Sequence, residues 1–189
     1  MSVSNSAPHR SSDSRDFLFD HEEPAGQSQR KATNVMRQLY DIGYFFRTLR
    51  VQLRFGHLSR APLRLLRLEL RENAAECDWV ARAADPWDAD LPRPLGDHHA
   101  SLQALEDAID VRDLLFSSLP AVNTAAFRVY RECPGAEPEL IITGTVARDQ
   151  PAARLIRSLA MRAKLLGLRF WLEDGILEVL RPEECALSF

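Results

Sequence analysis

The residues most able to support chemistry lie in one part of the chain. The segment AECDWVARAADPWD (75–88) combines a cysteine, two tryptophans and three aspartates, and a histidine pair follows it. His98 and His99 could bind a metal ion if folding brought Asp85 and Asp88 beside them, which would suit a small metal-assisted hydrolase or deaminase. Adjacent helical residues point about 100° apart, however, so such a pair rarely serves one ion. A solvated first helical turn is the alternative interpretation.

The acidic part of this segment does not follow the calcium-loop pattern. Counted from Asp88, the sixth and twelfth positions hold Arg93 and His99, where an EF-hand has glycine and glutamate. The sequence instead predicts an irregular, proline-stiffened acidic loop over residues 83–97. Within it, Trp87 either packs against the core or anchors a partner protein.

Other catalytic signatures are absent from the sequence. It has no G-x-S-x-G elbow, Walker loop, G-x-G-x-x-G or H-E-x-x-H motif. Strand alternation places Cys77 on the same apolar face as Trp79, which predicts a poorly ionised, inert thiol. We therefore expect a non-enzymatic protein without a cofactor.

A long amphipathic helix is predicted first, over TNVMRQLYDIGYFFRTLRVQLRFG. It is capped by Thr33 or Asn34 and ends near Gly56. Apolar residues recur at helical spacing: Val35, Leu39, Ile42, Phe46, Leu49 and Leu53.

This helix also carries the residues that predict an interaction surface. Arg47, Arg50 and Arg54 share a second face, while Tyr44 and Phe45 make the helix apolar on more than one side. Such a helix is buried between two layers or forms a dimer contact. Its arginine stripe could also bind an anionic phospholipid surface.

Two β-hairpins and two further helices are predicted after it. Leu66, Leu68 and Leu70 alternate with charged residues before a turn at 72–74, and Ala75, Cys77 and Trp79 continue the apolar face. A second helix begins at Asp97 or Ser101, with a core stripe of Leu102, Leu105, Ile109 and Phe116, and stops before Pro120. Strands follow at 125–132 and 139–148, and a third helix runs from Asp149 or Gln150 to Gly167.

The last hairpin has the clearest turn signal. Asp174-Gly175 fits a two-residue type I′ turn, which pairs Leu172 with Leu177 and Phe170 with Val179 on the inner face. The sequence thus predicts an α+β fold of three helix-plus-β-hairpin units, forming an antiparallel or mixed sheet with helices packed on one face. One domain spans residues 32–182, between a disordered tail at 1–31 and a short tail at 183–189.

Composition and charge limit the classes of function. The apolar fraction of 46% supports a real core, and a net charge of -3 gives no reason to expect nucleic-acid binding. The first residues lack an apolar signal region, and no apolar run suits a membrane span, which predicts a bacterial-type cytoplasmic protein with reduced thiols. Residues 47–71 carry seven arginines and one acid, whereas 72–110 carry ten acids and two arginines. This asymmetry can pair internally or drive association between chains.

The C-terminal half resembles a BON domain. The similarity rests on ELIITGTVARDQPAARLIRSLAMRAKLLG, with Gly144-Thr145-Val146 at a strand end and Gly167 before the next strand. The resemblance implies a non-enzymatic module that binds phospholipid surfaces or partner proteins. The function predicted first is a protein-interaction or regulatory module that self-associates through the first helix. A peripheral phospholipid-binding module is the first alternative and the metal-assisted enzyme the second.

Overall fold

A computed structural model of the 189-residue chain describes residues 25–54, 56–59, 61–83, 91–150 and 156–181, with side chains from residue 33 onward. The chain divides into two compact units, residues 1–35 and 36–189. Within the described residues, no helix combines the length and the apolarity needed to cross a bilayer. Asp85, Trp87 and Asp88, like residues 1–24 and 182–189, lie outside the described part.

The described chain contains three helices and seven strands in an α+β arrangement. In chain order they are α1 (Ala25–Gln52), β1 (Arg64–Arg71), β2 (Ala74–Val80), α2 (Arg93–Ser118), β3 (Thr124–Arg131), β4 (Glu139–Ala147), α3 (Leu159–Leu165), β5 (Leu168–Arg169), β6 (Trp171–Glu173) and β7 (Ile176–Glu178). Helix α1 begins before the predicted cap at Thr33 or Asn34 and includes residues 25–31, which the sequence predicts to be part of the tail.

The main sheet is mixed. Its five strands lie in the order β1-β2-β3-β4-β5, and β6 and β7 form a separate two-stranded sheet. Strands β2 and β3 are parallel, while the other neighbouring pairs are antiparallel. Parallel neighbours need a long crossover, and α2 supplies it. The predicted arrangement of three helix-plus-β-hairpin units in one sheet is not confirmed, because β6 and β7 form a sheet of their own.

The β1–β2 hairpin sets the two faces of the sheet. Leu68 lies opposite Cys77 and Leu70 opposite Ala75, as the alternation predicted, but the register shifts between Leu65 and Arg67. This bulge changes the alternation, so Leu66 is half exposed and does not share the inner face as predicted.

The outer face of the hairpin carries a network of ion pairs. Glu76 accepts salt bridges from Arg67 at 3.1 Å, Arg71 at 3.2 Å and Arg128 of β3 at 3.0 Å. Arg128 also contacts Asp78 at 3.1 Å. Hydrogen bonds from Arg67 and Arg71 lower the pKa of Glu69. Part of the predicted charge asymmetry is thus neutralised within the sheet.

The core lies between the inner face of the sheet and α2. Cys77 and Trp79 of β2 and Phe127 of β3 are fully buried in one cluster with the α2 residues Leu105 and Leu115. The Trp79 and Phe127 rings meet edge to face, with 5.1 Å between their centroids. Helix α2 therefore presents to the sheet the stripe that its periodicity predicted, although Leu102 is only partly buried.

Two helices begin at positions that differ from the predicted ones. Helix α2 starts at Arg93 directly after Pro92, without a side-chain cap, so residues 93–97 are helical rather than loop. Pro94 suits the first turn, where no N–H acceptor is needed. Helix α3 starts only at Leu159, where the Ser158 hydroxyl accepts a hydrogen bond from the Met161 N–H at 3.3 Å.

The last hairpin has the predicted turn. Asp174 and Gly175 have φ values of 50° and 81°, as a type I′ turn requires, and Leu172 lies opposite Leu177. The ladder ends one residue earlier than predicted, and Val179 is 42% exposed instead of packing against Phe170.

Candidate interaction surface on the first helix

One side of α1 packs into the domain. Phe45 is 0% exposed and Leu49 is 5% exposed, and both belong to the main core cluster. Phe45 meets Phe46 edge to face at a centroid distance of 5.9 Å. The prediction that Phe45 contributes to an interface is therefore wrong. Helical spacing shows an apolar residue, but only the packing of α1 decides whether the core or a partner covers it.

The opposite side of α1 exposes large apolar side chains. Tyr40 is 71% exposed, and Met36, Leu39 and Tyr44 are also exposed. Because one helical residue turns about 100°, these side chains lie on the side away from Phe45. Helical spacing predicts Leu39 on the apolar stripe with Leu49, but Leu39 is exposed and does not belong to the core. Monomeric proteins rarely expose such contiguous apolar patches.

Gly43 lies within this exposed side. A Cβ added there would meet no other atom within 4 Å. Glycine inside a helix costs about 1 kcal/mol relative to alanine. Within the described part of the chain, no atom fills the space that Gly43 leaves. The helix therefore has a shallow gap among its exposed aromatic side chains.

The basic stripe continues the same side of the helix. Arg47, Arg50 and Arg54 are exposed, and among the described residues no acidic side chain pairs with Arg47 or Arg50. The exposed apolar part of α1 and its arginine stripe form one straight line along the helix, in which the steps alternate between four and three residues. Its residues are Met36, Tyr40, Gly43, Arg47, Arg50 and Arg54. This spacing averages 3.6 residues, the period of the α-helix, so the six residues lie along one side of α1. We refer to this line as the α1 seam.

A buried polar network fixes the end of α1. The Arg82 guanidinium donates to the Asp107 carboxylate at 2.8 Å and to the main-chain carbonyls of Leu53, Arg54 and Ala61. The Leu53 and Arg54 carbonyls directly follow Gln52, the last residue of α1, so Arg82 holds the chain at the C-terminal end of the helix. Local charge patterns predict no role for Arg82, because its partners are distant along the chain.

Gln103 of α2 completes this network. Its side-chain carbonyl accepts from the main-chain N–H groups of Leu58 at 2.6 Å and Ser59 at 3.2 Å, and its amide donates to Asp107 at 3.0 Å. Burial raises the pKa of Asp107, while Arg82 and Gln103 act in the opposite direction. The network attaches the segment after α1 to helix α2. It therefore fixes the C-terminal end of α1, which carries the α1 seam.

At the metal site predicted around His98 and His99, His98 makes a contact that holds two elements of the fold together. The His98 Nδ1–H donates to the Gly175 carbonyl at 3.1 Å, tying α2 to the last hairpin. The His98 and His99 rings are 6.5 Å apart between centroids and tilted. Because α2 begins at Arg93, the pair lies in the second turn rather than the first. Within the described residues, no group of three metal-ligating side chains converges, and the proposed partners Asp85 and Asp88 are outside them.

A cavity of about 410 Å³ lies beside this region, where the parallel strands β2 and β3 end. Charged and polar side chains that line this cavity already make hydrogen bonds within the domain. Arg131 donates to Glu139 at 2.7 Å and to the Leu177 carbonyl at 3.0 Å, and the Ser101 hydroxyl bridges the Asp97 carbonyl and the Leu177 N–H. These contacts close the end of the sheet against α2 and β7.

Cys77, the most reactive-looking residue of the opening segment, lies in the core. It is 0% exposed, and burial raises the pKa of its thiol. Its position agrees with the alternation that predicted an inert thiol.

Comparison of the chain with protein-family models, curated proteins and solved structures gives no match. The resemblance to BON domains therefore stays a prediction, and the geometry of the chain alone carries the functional argument.

Proposed function

We propose that this protein is a non-enzymatic protein-interaction module that self-associates through the α1 seam. The observation that carries the proposal is the exposure of Met36, Leu39, Tyr40 and Tyr44 on the side of α1 opposite buried Phe45. Burying such side chains releases roughly 25 cal/mol per Å², and aromatic residues dominate protein interfaces. The cytoplasmic location expected from the sequence remains part of this proposal.

The seam favours an antiparallel partner helix from a second copy. With the two-fold axis between residues 43 and 44, Tyr44 of one copy covers the gap at Gly43 of the other. Tyr40 then meets Arg47, where a guanidinium over an aromatic ring contributes about 0.5–1 kcal/mol at an exposed site. A parallel pair would instead place Arg47 against Arg47 and repel.

Sedimentation of the full chain tests this proposal. We expect the wild type to have a concentration-dependent mass above 21.4 kDa, and Tyr40→Asp to lower it. Gly43→Leu should lower it too, because the added side chain fills the gap although leucine favours helix. Leu165→Asp, at an apolar position of α3 that is about half exposed, is the control and should sediment like the wild type. Equal masses for wild type and Tyr40→Asp would refute the proposal.

The arginine half of the seam supports a second candidate, binding to an anionic phospholipid surface. Arg47, Arg50 and Arg54 extend the exposed apolar side chains, a combination that suits a membrane interface. Vesicles of phosphatidylglycerol should then sediment the protein at low salt, whereas phosphatidylcholine vesicles should not. Replacing all three arginines by glutamate should abolish this binding. Equal recovery on both vesicle types would exclude the candidate.

A further inference from the structure

Strand β1 forms one edge of the five-stranded sheet. Its ladder partner among the described strands is β2, which pairs with it from Arg64 to Arg71. An eight-residue edge leaves main-chain N–H and C=O groups directed away from the sheet, where they can pair with another strand.

The tight turn determines which main-chain groups face outward. Arg71 and Ala74 flank the two-residue turn and form its closing pair, so the alternate residues Glu69 and Arg67 also bond to β2. The N–H and C=O groups of Leu68 and Leu70 consequently point toward the open edge.

The charges along β1 are self-complementary about Leu68. If a second β1 lies antiparallel with a two-fold axis at Leu68, Arg67 of each copy lies opposite Glu69 of the other. Leu68 then forms a hydrogen-bonded pair with its own symmetry mate, and Arg67 and Glu69 occupy the closer, non-hydrogen-bonded positions. Opposite charges at such positions stabilise a strand pair, and like charges destabilise it.

We propose that β1 pairs with β1 of a second copy about Leu68, joining two sheets into one of ten strands. This contact is separate from the α1 seam and does not depend on it. The bulge between Leu65 and Arg67 limits the pairing at its N-terminal end.

The register can be tested by mixing two charge variants of the full chain in a Tyr40→Asp background, which removes the α1 seam. Arg67→Glu places glutamate opposite glutamate, and Glu69→Arg places arginine opposite arginine. We expect each variant alone to sediment as a monomer and an equimolar mixture to form a heterodimer of twice 21.4 kDa. Mixing cannot repair a folding defect, so this rescue reports the contact itself.

Arg93→Glu, the same charge change at an exposed site on α2, is the control and should dimerise like the Tyr40→Asp parent. A monomeric parent, or a mixture that stays monomeric, would overturn the proposal. Dimers of Arg67→Glu alone would overturn the register about Leu68. None of these outcomes depends on whether the α1 seam associates, since that surface is disabled throughout.

Discussion

Arg82 and Asp107 form a 2.8 Å salt bridge in which both side chains are almost fully buried. The contact joins the end of β2 to α2, and the remaining Arg82 donors hold the carbonyl end of α1. A buried charge is tolerated only when it is paired and hydrogen-bonded. This pair therefore determines how firmly α1, and the seam it presents, is held on the domain.

Removing one partner of this pair should strongly destabilise the fold. We expect Arg82→Met to lower the free energy of unfolding by about 3–5 kcal/mol, because Asp107 and the Leu53 and Arg54 carbonyls lose their donor. Urea denaturation followed by circular dichroism measures the loss. Arg93→Met is the matched control, since the ion pair that Arg93 makes among the described residues is an exposed contact of 4.0 Å with Asp97. Its effect should stay within about 0.5 kcal/mol, and equal effects of the two variants would contradict a structural role for Arg82.

Asp110 should titrate far above an ordinary aspartate. Partial burial and the carboxylates of Glu106, Asp107 and Asp113 raise its pKa to about 6. Because the folded pKa lies above the unfolded value, the native state binds the proton more tightly. The contribution of Asp110 to stability is therefore present at pH 3 and lost as the pH rises toward 6.

Carbon-detected NMR of the aspartate carboxyls can follow this titration directly. Asp113→Asn should lower the Asp110 midpoint, because it removes a neighbouring negative charge. An Asp110 midpoint near 4 in the wild type would contradict the expected coupling.

Gly175 should tolerate no side chain. Its φ of 81° is strained for other residues, and an added Cβ would overlap the His98 ring. Gly135→Ala is a close control, because Gly135 has a φ of 76° and no atom within 4 Å of an added Cβ. We expect Gly135→Ala to lower the free energy of unfolding by about 1 kcal/mol, because it strains the backbone alone. Gly175→Ala should lower it clearly more, because it adds the overlap with His98.

Thermal unfolding of the two alanine variants measures this difference. Adding His98→Ala to Gly175→Ala should restore part of the lost thermal stability, because it removes the ring that the added Cβ overlaps. Equal costs at the two glycines would show that the His98 ring does not restrict the turn.

Cys77 should resist alkylation in the native protein. It is completely buried, whereas Cys133 is partly exposed. Burial raises the pKa of both thiols, so accessibility is what separates them. Iodoacetamide labelling followed by peptide mass spectrometry should modify Cys133 first and Cys77 only after denaturant is added. Modification of Cys77 at the rate of Cys133 would contradict its place in the core.

Local sequence patterns determined much of the secondary structure. Alternation put Cys77 and Trp79 on the inner face, and Asp174-Gly175 formed the predicted turn with Leu172 opposite Leu177. These features depend on the period of the backbone and on φ preferences within a few residues. For that reason they can be predicted from the chain alone.

Tertiary packing decided the remaining features. The parallel pairing of β2 with β3 joins residues about fifty positions apart, and no local pattern specifies that partner. Phe45 and Tyr40 both lie on an apolar helix, yet the core covers Phe45 and leaves Tyr40 exposed. Arg82 acquired its role only because folding placed Asp107 and the end of α1 around it. Periodicity fixes the direction of a side chain from its own element, whereas long-range packing fixes what that side chain contacts.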